Sequence, residues 1–258
     1  MMIDEKLAAF GRLLKIMDDL RAGCPWDRKQ TLESLRYLTI EETYELSDAI
    51  LDKDMDGIKK ELGDLMLHLV FYAKIGSETG HFDIADVLNS ISEKLIQRHP
   101  HIYGDVKVAD AEDVKNNWEK IKLKEKDRRS VLDGVPNSLP AMVKAFRMQE
   151  KARGVGFDWE NAGQVWEKVH EEMQELQVEV ANHDQPAMEK EFGDLLFSLV
   201  NYARFIGVNP EDALERTNKK FIKRFKYIEE QTQQQGKQLR ELSLDQMDAF
   251  WNEAKQHD

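Results

Sequence analysis

With one cysteine among 258 residues, no internal disulfide is available, and Cys24 has no cysteine or histidine partner at metal-binding spacing. It is read as an inert thiol. No apolar run reaches the roughly 18 residues that cross a bilayer, and Met1-Met2-Ile3-Asp4-Glu5 lacks a basic n-region. The expectation is a chain without a signal peptide, located in the cytoplasm. Neither a G-x-x-x-x-G-K-[ST] loop nor a G-x-G-x-x-G turn occurs, so the usual backbone cradles for phosphate are missing. Convincing strand alternation is missing too. Positive charge is in deficit, with 37 Lys and Arg against 49 Asp and Glu, a formal net charge of −12 and a pI near 5.2. Such a field repels DNA, RNA and anionic membranes, so nucleic acid and membrane are not expected partners. A phosphate ligand would have to be held by local cations or a metal.

What the chain has in abundance is acid, in a repeated pattern. Glu41-Glu42-x-x-Glu45 and Glu61-x-x-Asp64 recur as Glu171-Glu172-x-x-Glu175 and Glu191-x-x-Asp194. Residues three apart on a helix share a face, so each pair presents two carboxylates to one side. Two such helices facing each other form a cage of oxygens. Packed like charges repel unless a cation offsets them, and an all-oxygen set suits Mg²⁺ or Mn²⁺. Solvated acidic helix faces are the alternative for any single pair. The repetition argues for a site.

The duplication extends beyond the acids. Residues 41–75 laid over 171–205 without a gap give 14 identities in 35 positions, among them Lys60/Lys190, Gly63/Gly193, Leu65/Leu195, Val70/Val200, Tyr72/Tyr202 and Ala73/Ala203. The match resumes at Leu88/Leu214, Lys94/Lys220 and Arg98/Arg224, and Trp118-x-x-x-Lys122 falls over Trp251-x-x-x-Lys255. The chain therefore reads as two copies of one helical domain. Apolar spacings of three and four predict helices over 4–22, 34–52, 55–76, 83–98 and 110–126, then 139–152, 161–182, 186–206, 210–234 and 243–256. Glycine and proline punctuate the intervals. The domain boundaries expected are 1–123, a charged linker at 124–138, and 139–258. Leu62–Ile75 is apolar on nearly every side except a stripe of Glu61, Asp64 and His68, and 192–206 reads the same way. Helices wet on so narrow a stripe need several neighbours, which predicts an all-α fold with a four-helix-bundle core, completed by a homodimer.

Cations complete the pattern. Lys220, Lys223 and Arg224 share one helical face, with Phe221, Phe225 and Ile228 opposite as an apolar anchor, and the Lys-x-x-x-Arg pair recurs at Lys94 and Arg98. Trp251 and Lys255 are candidates to close over base and phosphate. Lys168 sits one turn before Glu172 where the first repeat has Leu38, so the second site carries an extra phosphate-binding cation and is the favoured active one. His99-Pro-His101 reads as a turn after a helix, because Phe225 replaces His99 in the second repeat. His68 reads as a polar neighbour, its counterpart being Ser198. Glu167-x-x-His170 matches one element of a di-iron bundle, but Tyr37 and Ile40 occupy the equivalent places and Glu78-x-x-His81 falls in a loop. Three function classes stay open: a metal-dependent nucleotide pyrophosphohydrolase, a di-iron carboxylate oxidoreductase, and a non-catalytic helical dimer or binding module.

Cys24-Pro-Trp-Asp27, the duplicated E-E-x-x-E and E-x-x-D blocks, Gly156-Phe-Asp-Trp159, Asn218-Lys-Lys-Phe221 and Arg224 together resemble the MazG family over nearly the whole chain. The resemblance implies two all-α MazG-like domains, a homodimer, and Mg²⁺-dependent conversion of a nucleoside triphosphate and water to a monophosphate and pyrophosphate. It maps metal ligands onto Glu172, Glu175, Glu191 and Asp194, while the internal repeat offers a second set at Glu42, Glu45, Glu61 and Asp64, read as a weak, regulatory or structural site. Nucleotide contacts map onto Lys168, Glu171, Lys220, Arg224 and Trp251. Glu171 is the candidate general base, and catalysis is expected in the C-terminal domain. Family members often have Glu where this chain has Lys190.

Overall fold

The computed structural model describes residues 2–110 and 130–257, together with 113, 114, 117 and 121. Among these residues the regular structure is helical, without a strand. Five α-helices form the first half: α1 (Met2–Gly23), α2 (Leu32–Leu51), α3 (Met55–Glu78), α4 (Ile84–Arg98) and the single turn α5 (Pro100–Tyr103). Among the described residues, five more helices with defined bounds lie in the second: α6 (Ala141–Arg153), α7 (Ala162–Asn182), α8 (Gln185–Phe205), α9 (Pro210–Gln234) and α10 (Leu244–Ala254). The chain divides into two compact units, Met1–Asp110 and Ala111–Asp258. The helix expected over 110–126 falls largely outside the described residues, as do 124–129 of the linker expected at 124–138, Trp118 and Lys122.

Each unit is framed by a helical hairpin, α2–α3 in the first and α7–α8 in the second. The two turns share one design. Lys53 and His183 stand at equivalent positions, and both adopt the left-handed conformation at φ 57°. The next residue is an aspartate that caps the returning helix: Asp54 accepts from the backbone N–H of Asp56 and Gly57, and Asp184 from that of Ala187. The acids are spaced symmetrically about this turn. Glu175 and Glu191 are equidistant from His183 in sequence, as are Glu172 and Asp194, so an antiparallel hairpin brings each pair level.

In the first unit Met17, Leu35, Val70, Phe71 and Ile75 form the buried core of α1, α2 and α3, with Ile84 of α4 packed against it. In the second, Val165 and Val169 of α7, Val200 of α8, Ile228 of α9 and Ala254 of α10 are buried. Gln149 of α6 donates its side-chain amide to the Phe197 carbonyl of α8 at 2.9 Å. Coverage of α3 and α8 is narrower than the sequence predicts. Leu62, Met66 and Leu69 remain exposed, and so do their counterparts Phe192, Leu196 and Leu199. One unit's helices pack one side of α3 or α8, so an i, i+4, i+7 apolar stripe is left on the other.

Candidate active site

In the second unit the four acids come from the facing helices of the hairpin. Glu172 is 6% exposed, whereas Glu171 beside it faces solvent. Carboxylate oxygens of Glu172, Glu175 and Glu191 lie within 4.8 Å of one another. Asp194 follows Glu191 by one turn, is exposed, and stands outside this close triple. Two lysines partly neutralise the cluster. Lys168 Nζ reaches Glu172 Oε1 at 2.6 Å and Glu171 Oε1 at 2.9 Å, and Lys190 Nζ reaches Glu191 Oε1 at 2.6 Å and Asp194 Oδ2 at 3.6 Å. Glu191 Oε2 is buried with no hydrogen-bond partner.

The electrostatics follow from this crowding. Burial, then the charges of Glu172 and Glu191, push the Glu175 carboxyl above its ordinary range. Hydrogen bonds to Glu172 and then Glu171 drive the Lys168 ammonium well above the usual lysine range, so it is a fixed cation at neutral pH. Lys190 is raised in the same direction, chiefly by its hydrogen bond to Glu191.

The first unit repeats the arrangement. Oxygens of Glu42, Glu45 and Glu61 lie within 4.8 Å of one another, and Glu61, 6% exposed, leaves Oε2 without a partner. Lys60 Nζ spans Glu61 at 2.8 Å, Asp64 at 3.9 Å and Glu45 at 4.0 Å. Burial, followed by repulsion from Asp64, Glu45 and Glu61, raises the Glu42 carboxyl. No lysine stands where Lys168 does, because that position is Leu38. His68 is buried one turn beyond Asp64, and burial holds its imidazole below the usual range despite the nearby Asp64.

Both clusters fit a hard divalent cation. Their donors are all carboxylate oxygens, gathered within a few ångströms, and each includes a buried oxygen that nothing else satisfies. No histidine joins either cluster among the described residues. His170 Nδ1 meets the Trp166 carbonyl at 3.0 Å and His81 Nδ1 meets the Thr79 hydroxyl at 2.8 Å. The Glu-x-x-His reading therefore has no support from geometry.

The cationic candidates gather on α9 and α10. Lys220 and Lys223 are exposed, and the Arg224 guanidinium lies 5.2 Å from the Trp251 ring centroid. Phe221 contacts the same ring at 5.3 Å, and Lys255 donates to Asn252 at 3.0 Å. The apolar anchor of α9 is thinner than its pattern predicts, since Phe221 is more than half exposed and Ile228 is the buried member. Sequence reasoning passed over Gln149 and Asn201, two polar side chains that line a cavity along α8. The available signal was the repeat alignment itself, in which Asn201 replaces Phe71.

The MazG nucleotide pyrophosphohydrolase domain model matches residues 30–103 and again 163–228, once over each hairpin. The chain belongs to the MazG family. Over 250 residues it is 46% identical to the nucleoside triphosphate pyrophosphohydrolase/pyrophosphatase MazG of Thermotoga maritima, covering 95% of both chains. It is also 42% identical over 255 residues to the nucleoside triphosphate pyrophosphohydrolase of Escherichia coli, covering 96% of this chain and 97% of that one. An uncharacterised Bacillus subtilis protein, YabN, is 50% identical over 261 residues, which span 98% of this chain and 53% of YabN. MazG membership makes this chain an enzyme of the pyrophosphohydrolase class, with its two acid clusters inside the matched segments. Among the described residues, no helix is long and apolar enough to cross a membrane.

Proposed function

We propose that this chain hydrolyses nucleoside triphosphates to nucleoside monophosphates and pyrophosphate at the acid cluster of the second unit. The observation that carries the reading is the meeting of Glu172, Glu175 and Glu191 within 4.8 Å, with Glu191 Oε2 buried and unsatisfied. These three residues and Asp194 would hold Mg²⁺ or Mn²⁺. Bound there, the ion supplies charge neutralisation at phosphate oxygens and lowers the pKa of a coordinated water. Lys168, a fixed cation hydrogen-bonded to Glu172, would hold a phosphate oxygen. Glu171 accepts the proton as water attacks, since it is exposed beside the cluster and is tied only to Lys168 among the partners described. Lys220, Lys223 and Arg224, with Lys255 nearby, steady the departing pyrophosphate, and Trp251 orients Arg224 from beneath.

The second cluster is the working one because Lys168 has no counterpart in the first, where Leu38 stands. The matching exposed stripes at Leu62, Met66 and Leu69 and at Phe192, Leu196 and Leu199 support a homodimer, each stripe covered by a second copy. A monomer by light scattering at micromolar concentration would remove that part. The acidic net charge disfavours nucleic acid and anionic membranes as partners, and we place the protein in the cytoplasm, acting on free nucleotides. Glu172→Gln and Asp194→Asn should each reduce pyrophosphate release at least a thousandfold with an unchanged far-ultraviolet helical signal. Near-normal release from either variant overturns the assignment.

A further inference from the structure

The two hairpins carry the same four acids but not the same cations. In the second, Glu172, Glu175, Glu191 and Asp194 face two ammonium groups: Lys190 reaches Glu191 and Asp194, and Lys168 pairs with Glu172 at 2.6 Å. In the first, Glu42, Glu45, Glu61 and Asp64 meet one lysine among the ion pairs described. That lysine is Lys60, whose Nζ is 2.8 Å from Glu61 but 3.9 Å from Asp64 and 4.0 Å from Glu45. Glu42, the counterpart of Glu172, has no lysine one turn before it, because position 38 is leucine.

Leu38 is committed to the core, packed against the cluster of Met17, Leu35, Val70, Phe71 and Ile75. Leu38 and His68 are equidistant in sequence from Lys53, as Lys168 and Ser198 are from His183, so each hairpin brings its pair level. His68 is 7% exposed, with Nδ1 buried and unpartnered. The end of the acid cage that carries an ammonium in the second unit is therefore bounded in the first by a core leucine and a buried imidazole.

Two observations point to an ion in the first cage. Glu61 is 6% exposed, and its Oε2 is buried without a hydrogen-bond partner while Oε1 takes Lys60. A desolvated carboxylate oxygen left bare is costly unless a cation meets it. Oxygens of Glu42, Glu45 and Glu61 also converge within 4.8 Å, so one ion reaches all three. In the second cage the Lys168 ammonium already occupies a Glu172 oxygen, and an entering ion has to displace it. The first cage has no such ammonium to displace and none to offer a phosphate at that end.

We propose that the first cluster is a nucleotide-independent site for one divalent cation, Mg²⁺ or Mn²⁺, held by Glu42, Glu45 and Glu61 with Asp64 beside them, and that the residue at 38 or 168 decides which hairpin takes its ion alone. The ion clamps α2 to α3 next to the core. The second cluster binds its ion weakly until a triphosphate draws Lys168 away, a step that rests on the nucleotide reading of that cluster.

The test titrates the full chain with Mn²⁺ in the absence of nucleotide and counts bound ion by electron paramagnetic resonance. The wild type should bind one ion at least about tenfold more tightly than a second. Glu42→Gln with Glu45→Gln should remove the tight ion, and Glu172→Gln should keep it. Lys168→Leu should add a second tight ion, whereas Leu38→Lys should weaken the first about tenfold. Because Leu38 touches the core, Lys168→Leu decides the question if Leu38→Lys does not fold. Mn²⁺ should also slow amide exchange in α2 and α3 about tenfold or more in the wild type, and not in the double variant. Loss of the tight ion in Glu172→Gln rather than in the double variant, or equal Mn²⁺ binding by Lys168→Leu and wild type, overturns the proposal. At equal free Mn²⁺, α,β-methylene-ATP should add one ion to the wild type and none to Glu172→Gln. An added ion in Glu172→Gln overturns the nucleotide independence of the first cluster. No added ion in the wild type counts against the nucleotide reading of the second cluster and leaves the first intact.

Discussion

Lys168→Met separates two roles of one side chain. In the metal-free protein, Lys168 supplies the close positive partner of Glu172, at 2.6 Å, while Glu172 itself is 6% exposed among other carboxylates. Breaking a fully buried pair by removing one member costs about 3–5 kcal/mol. The Lys168 side chain is 35% exposed, so solvent screening reduces that figure, and about 1–2 kcal/mol is the expected loss. At about 4 °C per kcal/mol for a unit of this size, the melting point of the second unit should fall by about 4–8 °C in EDTA. A divalent ion should then replace the missing charge. Ion at a hundred times its dissociation constant contributes about 2.7 kcal/mol to whichever form binds it, and without the competing ammonium the variant should respond more strongly than the wild type. Scanning calorimetry in EDTA and in Mg²⁺ measures both effects. An unchanged melting point in EDTA, together with an equal Mg²⁺ response, would refute the idea that Lys168 stands in for the cation.

Removing the first cluster with Glu42→Gln and Glu45→Gln together should spare most pyrophosphate release; a loss equal to that of Glu172→Gln would move the active site or make both necessary. Arg21 holds Glu78 through a side-chain hydrogen bond at 3.0 Å, which lowers the Glu78 carboxyl below its ordinary value of 4.5. A depressed carboxyl stabilises the fold above the unfolded value and loses that contribution as pH falls through the folded one. Arg21→Ala should therefore cost about 1 kcal/mol at pH 7 and flatten the acid limb below pH 4.5, as read by urea unfolding at a series of pH values. A Cβ at Gly76 would lie 2.8 Å from the Phe82 ring, so Gly76→Ala should destabilise the first unit by about 1–3 kcal/mol in denaturant melts, unless the ring swings clear and the midpoint stays unchanged.

The helices were legible in the chain because their apolar spacing is a local property, and the duplication was legible because its halves still share fourteen of 35 residues around the acids. Even the meeting of Glu175 with Glu191 follows from spacing, once a three-residue turn at His183 is assumed. Other features depended on which side chains are brought together from distant positions. Lys168 bridging Glu171 and Glu172 is a matter of rotamer, and the stacking of Arg224 on Trp251 joins residues from two helices. The exposed stripes on α3 and α8 could not be separated from core by pattern, because an apolar residue reads alike whether its partner is present or absent. The cavity is the clearest case. Its empty volume and unpaired amide oxygen arise from α6, α8 and a glycine-turned loop packing together. The linear order of residues specifies where the acids can meet, whereas free space and unsatisfied polarity are properties of three-dimensional packing and exist only after the helices have docked.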